Sequence, residues 1–151
     1  MHASFLPRRY HEGDLVWIHG FHLLVVPTLV SKAHAAAKIG VFLHTHFPSS
    51  EIFRTLTKRE DILRGMLSAD QVGFHLYEYA RHFLTCCQRL LGLEWTHDAQ
   101  GMTVHYGGRS VLITCIHAGM DQDVLRSVVA YPQVFFFPYI LLAFQSHHSL
   151  L

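Results

Sequence analysis

Three histidines stand directly after apolar segments that have the length of β-strands. They are His19, His44 and His75. An imidazole side chain can act as a general base, exchange hydrogen bonds with a ligand or bind a metal ion. Ligands of open α/β sheets bind beyond the carboxyl ends of the strands. We therefore expect these three side chains to line one crevice.

The first of these loops holds a second imidazole, because His22 follows His19 by three positions. Such a pair can hold two ligand positions of a metal ion, but a zinc site needs at least a third ligand of suitable geometry. The H-E-x-x-H spacing of zinc proteases is absent from the sequence. The spacing favours a structural or ligand-contacting role and no metal, with a metal site as the alternative.

The second loop, His44 to Ser50 (HTHFPSS), ends in hydroxyl groups next to the expected start of a helix at Glu51. Backbone N–H groups at a helix N-terminus favour anions such as phosphate. In the alternative interpretation, Ser49, Ser50 and Glu51 only cap that helix.

The third loop, His75 to Glu78, is surrounded by aromatic residues, and this spacing is more typical of a core than of a binding site. Histidine is frequent, with 14 in the chain, which raises the alternative of a pH switch. The scattered positions of these histidines do not favour that alternative.

The elements that position these loops alternate between strand and helix. Short apolar runs predict buried strands, and apolar residues at helical spacing predict helices. Strands are expected at Asp14–Ile18, Lys38–Leu43 and Asp70–Phe74, helices at His22–Ala37, from Glu51, at Glu60–Leu67, Tyr77–Leu91 and Asp121–Val129, and a hairpin at Met102–Cys115. Gly107 and Gly108 supply its turn.

This order of elements predicts an α/β fold with a parallel, Rossmann-like sheet that is flanked by helices on both faces. The length of 151 residues suits one domain. We expect that domain over residues 1–130 and an irregular or unrelated C-terminal tail over 131–151, where Pro132 and Pro138 interrupt apolar runs.

Composition excludes several classes of function. The formal net charge of +1, without long runs of either sign, gives no electrostatic footprint for nucleic acid. No apolar segment reaches the roughly 20 residues that span a bilayer. The three cysteines form neither a disulfide framework nor a C-x-x-C metal motif. We expect a cytoplasmic protein that binds neither nucleic acid nor membrane.

Long ordered stretches resemble one enzyme family, the trehalose-6-phosphate synthases of glycosyltransferase family 20. The similar stretches are VWIHGFHLLVVPTLV, IGVFLHTHFPSSEIFRTL, REDILRGML, ADQVGFHLYEYARHFLTCCQRLLGL, and GRSVLI followed by HAGMD. The resemblance runs from about Asp14 to Arg126 and is closest to eukaryotic synthases.

The resemblance implies a GT-B fold, of which this chain is part of the N-terminal Rossmann-like domain. The family transfers glucose from UDP-glucose to glucose 6-phosphate with retention and without a cofactor. His44 then matches the histidine that faces the donor sugar and is our candidate catalytic residue. Substrate-binding positions are His19, Gly20, Phe21 and His22.

Two positions depart from the family pattern. Gly20 stands where the family has an aspartate that binds the acceptor sugar, and His46 stands where the family usually has proline. A charge-assisted hydrogen bond of the kind such a carboxylate accepts contributes about 1.5–3 kcal/mol. The acceptor role at Gly20 is therefore weakened.

The resemblance does not include the family's donor-binding groups, so we expect this chain to be inactive alone. A non-catalytic module that senses sugar phosphate or regulates a synthase is the alternative. We also expect self-association through an exposed sheet edge, because unpaired strand edges pair readily with other chains.

Overall fold

The computed structural model describes residues 10–98, 101–117, 119 and 122. Within these residues, six strands form one sheet: β1 Leu15–His19, β2 Lys38–Leu43, β3 Gln71–Phe74, β4 Trp95–Asp98, β5 Gly101–Tyr106 and β6 Arg109–Cys115. The helices are a 3-10 turn at Phe21–Leu23 and α1 Val26–Ala33, α2 Ser50–Phe53, α3 Arg59–Leu67 and α4 Tyr77–Leu91. The expected tail and nearly all of the expected helix Asp121–Val129 lie outside these residues.

The strand order is β1-β2-β3-β6-β5-β4. Strands β1, β2, β3 and β6 are parallel, whereas β5 and β4 extend the sheet in antiparallel fashion. The Rossmann-like α/β fold is confirmed, and so is the hairpin, in which Gly107 and Gly108 turn with φ of 58° and 76°. Strand β4 is an addition that the sequence did not predict.

Helix α4 has the predicted bounds and ends at Gly92, which takes the left-handed conformation of a C-cap. The predicted helix His22–Ala37 is wrong in its extent, because a 3-10 turn precedes α1 and α1 ends at Ala33. Pro27 lies in the first turn of α1, where its missing N–H costs no helical hydrogen bond. His34 leaves the helical conformation with φ of −139°, which directs the chain into β2.

The core lies on one face of the sheet. The helices α1 to α4 of the described residues contribute buried side chains to the same cluster as Val41, Val72 and Ile113 of the sheet. Phe42 is buried at 7% exposure but does not belong to that cluster, because it points to the opposite face. Burial in this core raises the pKa of the Cys86 thiol to about 11, which keeps it protonated and unreactive.

The expectation of helices on both faces is wrong for the described residues. The chain moves from β1 to β2, β3 and β6 always in the same direction across the sheet. Right-handed crossovers that progress in one direction place their helices on one face. The opposite face carries exposed apolar side chains, of which Leu15 at 65% and Trp17 at 41% are on the edge strand β1.

On that second face, each of two aromatic side chains lies over a glycine of the next strand. Trp17 is in register with Gly40, and Phe42 is in register with Gly73. A Cβ atom at Gly40 would collide with the Trp17 ring, and one at Gly73 would lie 2.5 Å from Cδ2 of Phe42. The glycines therefore make room for the rings and bring Phe42 flat against β3.

Candidate functional site

The three histidines that end the strands come together at one edge of the sheet. His19 is the last residue of β1, while His44 and His75 follow β2 and β3 directly. Because these strands are neighbours and parallel, their carboxyl ends lie side by side. The structure confirms the expectation that the three imidazoles share one edge of the parallel part of the sheet.

The imidazoles form a hydrogen-bonded row, which we call the histidine row. Nδ1 of His19 lies 2.9 Å from Nε2 of His44. Nδ1 of His44 lies 3.3 Å from Nε2 of His75, and Nδ1 of His75 lies 3.3 Å from the backbone oxygen of Ile116. Each ring thus links one strand end to the next.

The ring of Phe42 supports the histidine row from below. Its centroid lies 4.8 Å from that of His44 and 4.9 Å from that of His75, the latter in an edge-to-face arrangement. Phe42 can lie there because Gly73 has no side chain. Edge-to-face packing of aromatic rings is favourable by about 0.5–1.5 kcal/mol beyond area burial. The rings of the row are therefore held by packing as well as by hydrogen bonds.

The loop that carries His44 is anchored by Phe47, which is 2% exposed. Its ring contacts those of Phe53, Phe74 and Phe83 at centroid distances of 5.0, 5.9 and 5.4 Å. We call Phe47, Phe53, Phe74 and Phe83 the aromatic cluster. It lies beneath the loop after β2 and includes the residue before His75, so it fixes two members of the histidine row.

The hydroxyl group of Ser50, in this loop, is hydrogen-bonded within the protein. Ser50 is buried, and its Oγ accepts a hydrogen bond of 3.1 Å from Nη1 of Arg89. The same guanidinium lies 2.9 Å from Oε1 of Glu51. Ser49 occupies the N-cap position but makes no side-chain capping bond. Ser50 and Glu51 thus connect α2 to α4 through Arg89. The side-chain cap expected from Ser49 is not formed, and the anion-binding interpretation stays a prediction.

The remaining substrate-binding candidates lie beside the row without joining it. Gly20 has φ of 83° and ψ of 164°, a conformation that other residues rarely adopt, and its N–H donates to the oxygen of Phe42 at 3.1 Å. Phe21 is 53% exposed and contacts the ring of His22 at 3.9 Å. His46 instead packs against Tyr79.

The geometry of the row suits hydrogen bonding rather than metal coordination. The nitrogens of adjacent rings point at one another at 2.9 and 3.3 Å and not at a common centre. In the part of the chain that the structure describes, no group of three or more His, Cys, Asp or Glu could hold a metal ion. The same residues contain no helix long and apolar enough to cross a membrane.

A parallel α/β sheet with polar groups at its strand ends is the architecture of a ligand-binding, Rossmann-like domain. Residues 1–135 match the family model described as glycosyltransferase family 20. Because the match covers most of the chain, the chain belongs to glycosyltransferase family 20.

Plant synthases are among its relatives in sequence. The chain is 48% identical over 121 residues to the probable alpha,alpha-trehalose-phosphate synthase [UDP-forming] 9 of Arabidopsis thaliana, which covers 80% of this chain and 14% of the relative. It is 46% identical over 122 residues to synthase 6 of the same plant, and the alignment covers 81% of this chain and 14% of that relative. The chain therefore spans about one seventh of these relatives.

Solved structures share the fold. The N-terminal domain of Candida albicans trehalose-6-phosphate phosphatase is 35% identical, with a TM-score of 0.75 over 95% of this chain and 30% of that one. A Burkholderia xenovorans synthase in complex with glucose-6-phosphate is 25% identical, with a TM-score of 0.76 and coverage of 82% and 28%. An E. coli protein bound with UDP-2-fluoro glucose is 27% identical, with a TM-score of 0.75 and coverage of 86% and 28%.

Proposed function

We propose that this chain supplies the acceptor-side, histidine-lined part of the sugar crevice of a trehalose-phosphate synthase. The histidine row at the ends of β1, β2 and β3 is the observation that carries the proposal. Support comes from the solved relatives, of which one is in complex with glucose-6-phosphate and another is bound with UDP-2-fluoro glucose.

Within this proposal, His44 faces the donor sugar and is the catalytic candidate, while His19, Phe21 and His22 contact the acceptor. Imidazole nitrogens exchange hydrogen bonds with hydroxyl groups, and an exposed aromatic ring such as that of Phe21 covers the apolar face of a sugar. Gly20 offers only backbone groups, so acceptor binding is weaker than in relatives with a carboxylate there. A Gly20→Asp variant would restore acceptor binding only at a cost in stability, because the backbone φ of 83° is strained for any residue other than glycine.

We further propose that the chain does not catalyse glycosyl transfer alone. Transfer from a sugar nucleotide needs positive groups that stabilise the charge developing on the leaving diphosphate. Five arginines of the described residues have partners within the protein. Arg64 contacts Glu60, Arg54 and Arg89 contact Glu51, Arg59 donates to the oxygen of Leu56, and Arg109 donates to the oxygens of Leu67 and Ala69. The row itself presents imidazoles and the ring of Phe42.

The test is to incubate the purified chain with UDP-glucose and glucose 6-phosphate and to measure UDP release. We expect no release above that of a sample without protein. Turnover that His44→Ala abolishes and His97→Ala preserves would contradict the proposal, since exposed His97 lies on β4, away from the row.

Sedimentation of the same sample tests self-association through the edge strand β1, and a monodisperse monomer would refute the proposed self-association.

A sensing or regulatory module is the second candidate. The similarity to the N-terminal domain of a protein named as a phosphatase favours it, as does the absence of a side chain at Gly20. The two candidates separate in a longer protein that carries this chain. The synthase proposal predicts turnover that depends on His44, whereas the sensor proposal predicts sugar-phosphate binding without turnover.

Two further proposals concern context. We propose that residues 1–130 form the glycosyltransferase part and that 131–151 are a separate tail, which limited proteolysis near residue 130 would test.

We also propose a cytoplasmic location, because all three cysteines are free thiols. Detection of the tagged chain in a secretory compartment would contradict that location.

A further inference from the structure

The hydrogen bonds of the histidine row all run in one donor-to-acceptor direction, and a backbone carbonyl group sets that direction. The row ends at the carbonyl oxygen of Ile116, which lies 3.3 Å from Nδ1 of His75. A carbonyl oxygen can only accept a hydrogen bond. Nδ1 of His75 must therefore carry the hydrogen in that contact.

This assignment propagates along the row, because an uncharged imidazole has one N–H and one acceptor nitrogen. With its hydrogen on Nδ1, His75 accepts at Nε2 from Nδ1 of His44. His44 then accepts at Nε2 from Nδ1 of His19. All three rings have the hydrogen on Nδ1, and the lone pair on Nε2 of His19 is left at the open end.

The open end is available to a ligand. His19 is exposed, and no described residue makes a hydrogen bond to its Nε2. The next residue, Gly20, has no side chain that could cover the ring, and even a Cβ there would meet nothing within 4 Å. His44, by contrast, has both ring nitrogens engaged.

We propose that His75 and the carbonyl of Ile116 are positioning groups that fix the tautomers of the row, so that Nε2 of His19 acts as a hydrogen-bond acceptor for a donating hydroxyl group. The identity of that hydroxyl as part of a sugar rests on the proposed function. The direction of the row rests on the geometry alone. The row thus assigns the free acceptor to His19, whereas His44 would have to exchange one of its two ring hydrogen bonds to contact the donor sugar.

The test is the tautomeric state of each histidine in the full chain without ligand. Two-bond proton–nitrogen correlation spectra of ¹⁵N-histidine protein, at a pH where the imidazoles are uncharged, distinguish Nδ1–H from Nε2–H. Free imidazole side chains in water favour Nε2–H, so the row predicts the less common form at His19, His44 and His75. An Nε2–H tautomer at His44 or His75 would overturn the proposal.

Two variants of His75 separate positioning from simple packing. His75→Gln keeps the direction, because its amide N–H can donate to the Ile116 oxygen while its side-chain oxygen accepts from His44. His75→Phe fills the space but removes both functions, and we expect His44 to lose its Nδ1–H preference. The matched control His97→Phe should leave the row unchanged. Equal spectra for the Gln and Phe variants would contradict the positioning role.

A binding experiment with glucose 6-phosphate tests the role of His19 as an acceptor. A shift of the His19 nitrogen signal, larger in unmodified chain than in His75→Phe, supports the acceptor role. If the tautomers are as assigned and no sugar phosphate shifts His19, the direction of the row stands and the proposed function is contradicted. If the sugar phosphate binds while His44 carries Nε2–H, the proposed function stands and the inferred direction is overturned.

Discussion

Replacing Phe74 by alanine is expected to destabilise the chain by about 3–5 kcal/mol, the usual cost of removing a buried aromatic ring. Phe74 is 0% exposed. Its ring contacts those of Phe47 and Phe83 at centroid distances of 5.9 and 5.5 Å. This loss approaches the whole stability of a small domain, which is commonly about 5–15 kcal/mol. Urea unfolding followed by circular dichroism measures it.

Tyr77→Ala is the matched control, because this aromatic residue is 55% exposed at the start of α4. Its expected effect is within about 0.5 kcal/mol, as for most surface substitutions. Equal effects at the two positions would show that the aromatic cluster is not the packing centre beneath the loop after β2. The Phe74 variant should also disturb His75, its neighbour in sequence, more than it disturbs His19.

Gly65→Ala is expected to destabilise the chain by about 1–3 kcal/mol, the usual cost of overpacking. Gly65 is inside α3, where alanine would otherwise be favoured over glycine by about 1 kcal/mol. A Cβ there would lie 2.7 Å from the backbone oxygen of Leu24 and 2.9 Å from Cα of Val25. These backbone atoms cannot rotate away, so α1 and α3 would have to separate.

The sign of the stability change at Gly65→Ala shows whether overpacking or helix propensity dominates at this position. Gln88→Ala on the exposed face of α4 reports propensity without a new contact. Thermal unfolding of both variants should show a lower midpoint for Gly65→Ala and an almost unchanged midpoint for Gln88→Ala. A higher midpoint for Gly65→Ala would mean that the segment before α1 does not approach α3 as closely as described.

The sequence was sufficient for the parallel strands β1, β2 and β3 because each is a short apolar run with a clear boundary. It predicted β6 only as an arm of the hairpin and not as the parallel neighbour of β3. Strand β2, Lys38–Leu43, and helix α4, Tyr77–Leu91, have the predicted bounds. Strand β4, Trp95–Asp98, escaped prediction because its exposed residues lack an apolar pattern, and only pairing with β5 makes it a strand. Propensity in such an edge strand depends on its neighbours.

Local sequence patterns could not predict which face of the sheet the helices cover. The covered face follows from the order in which strands are added, and that order is a property of the whole sheet. Apolar residues on both sides of β2 predicted burial on both faces. On the second face, the burial of Phe42 comes instead from its position over Gly73 and below the imidazoles.

Part of the site was predictable, since a histidine after each of three parallel strands must lie at one edge. The role of His75 was not, because it depends on the carbonyl of Ile116 after β6, 41 positions away in sequence. Backbone groups carry no sequence signal. The hydroxyl of Ser50 shows a second long-range effect, because its hydrogen bond to Arg89 links two helices that are far apart in sequence.

We propose that the histidine row forms the sugar-binding edge of this family 20 chain. Titration of ¹⁵N-histidine protein with glucose 6-phosphate tests it most directly, because every imidazole reports separately. We expect saturable shifts confined to His19, His44, His75 and their neighbour His22, and no shift at His97 on β4. Saturable binding that leaves the row unchanged, or shifts spread evenly over all histidines, would contradict it.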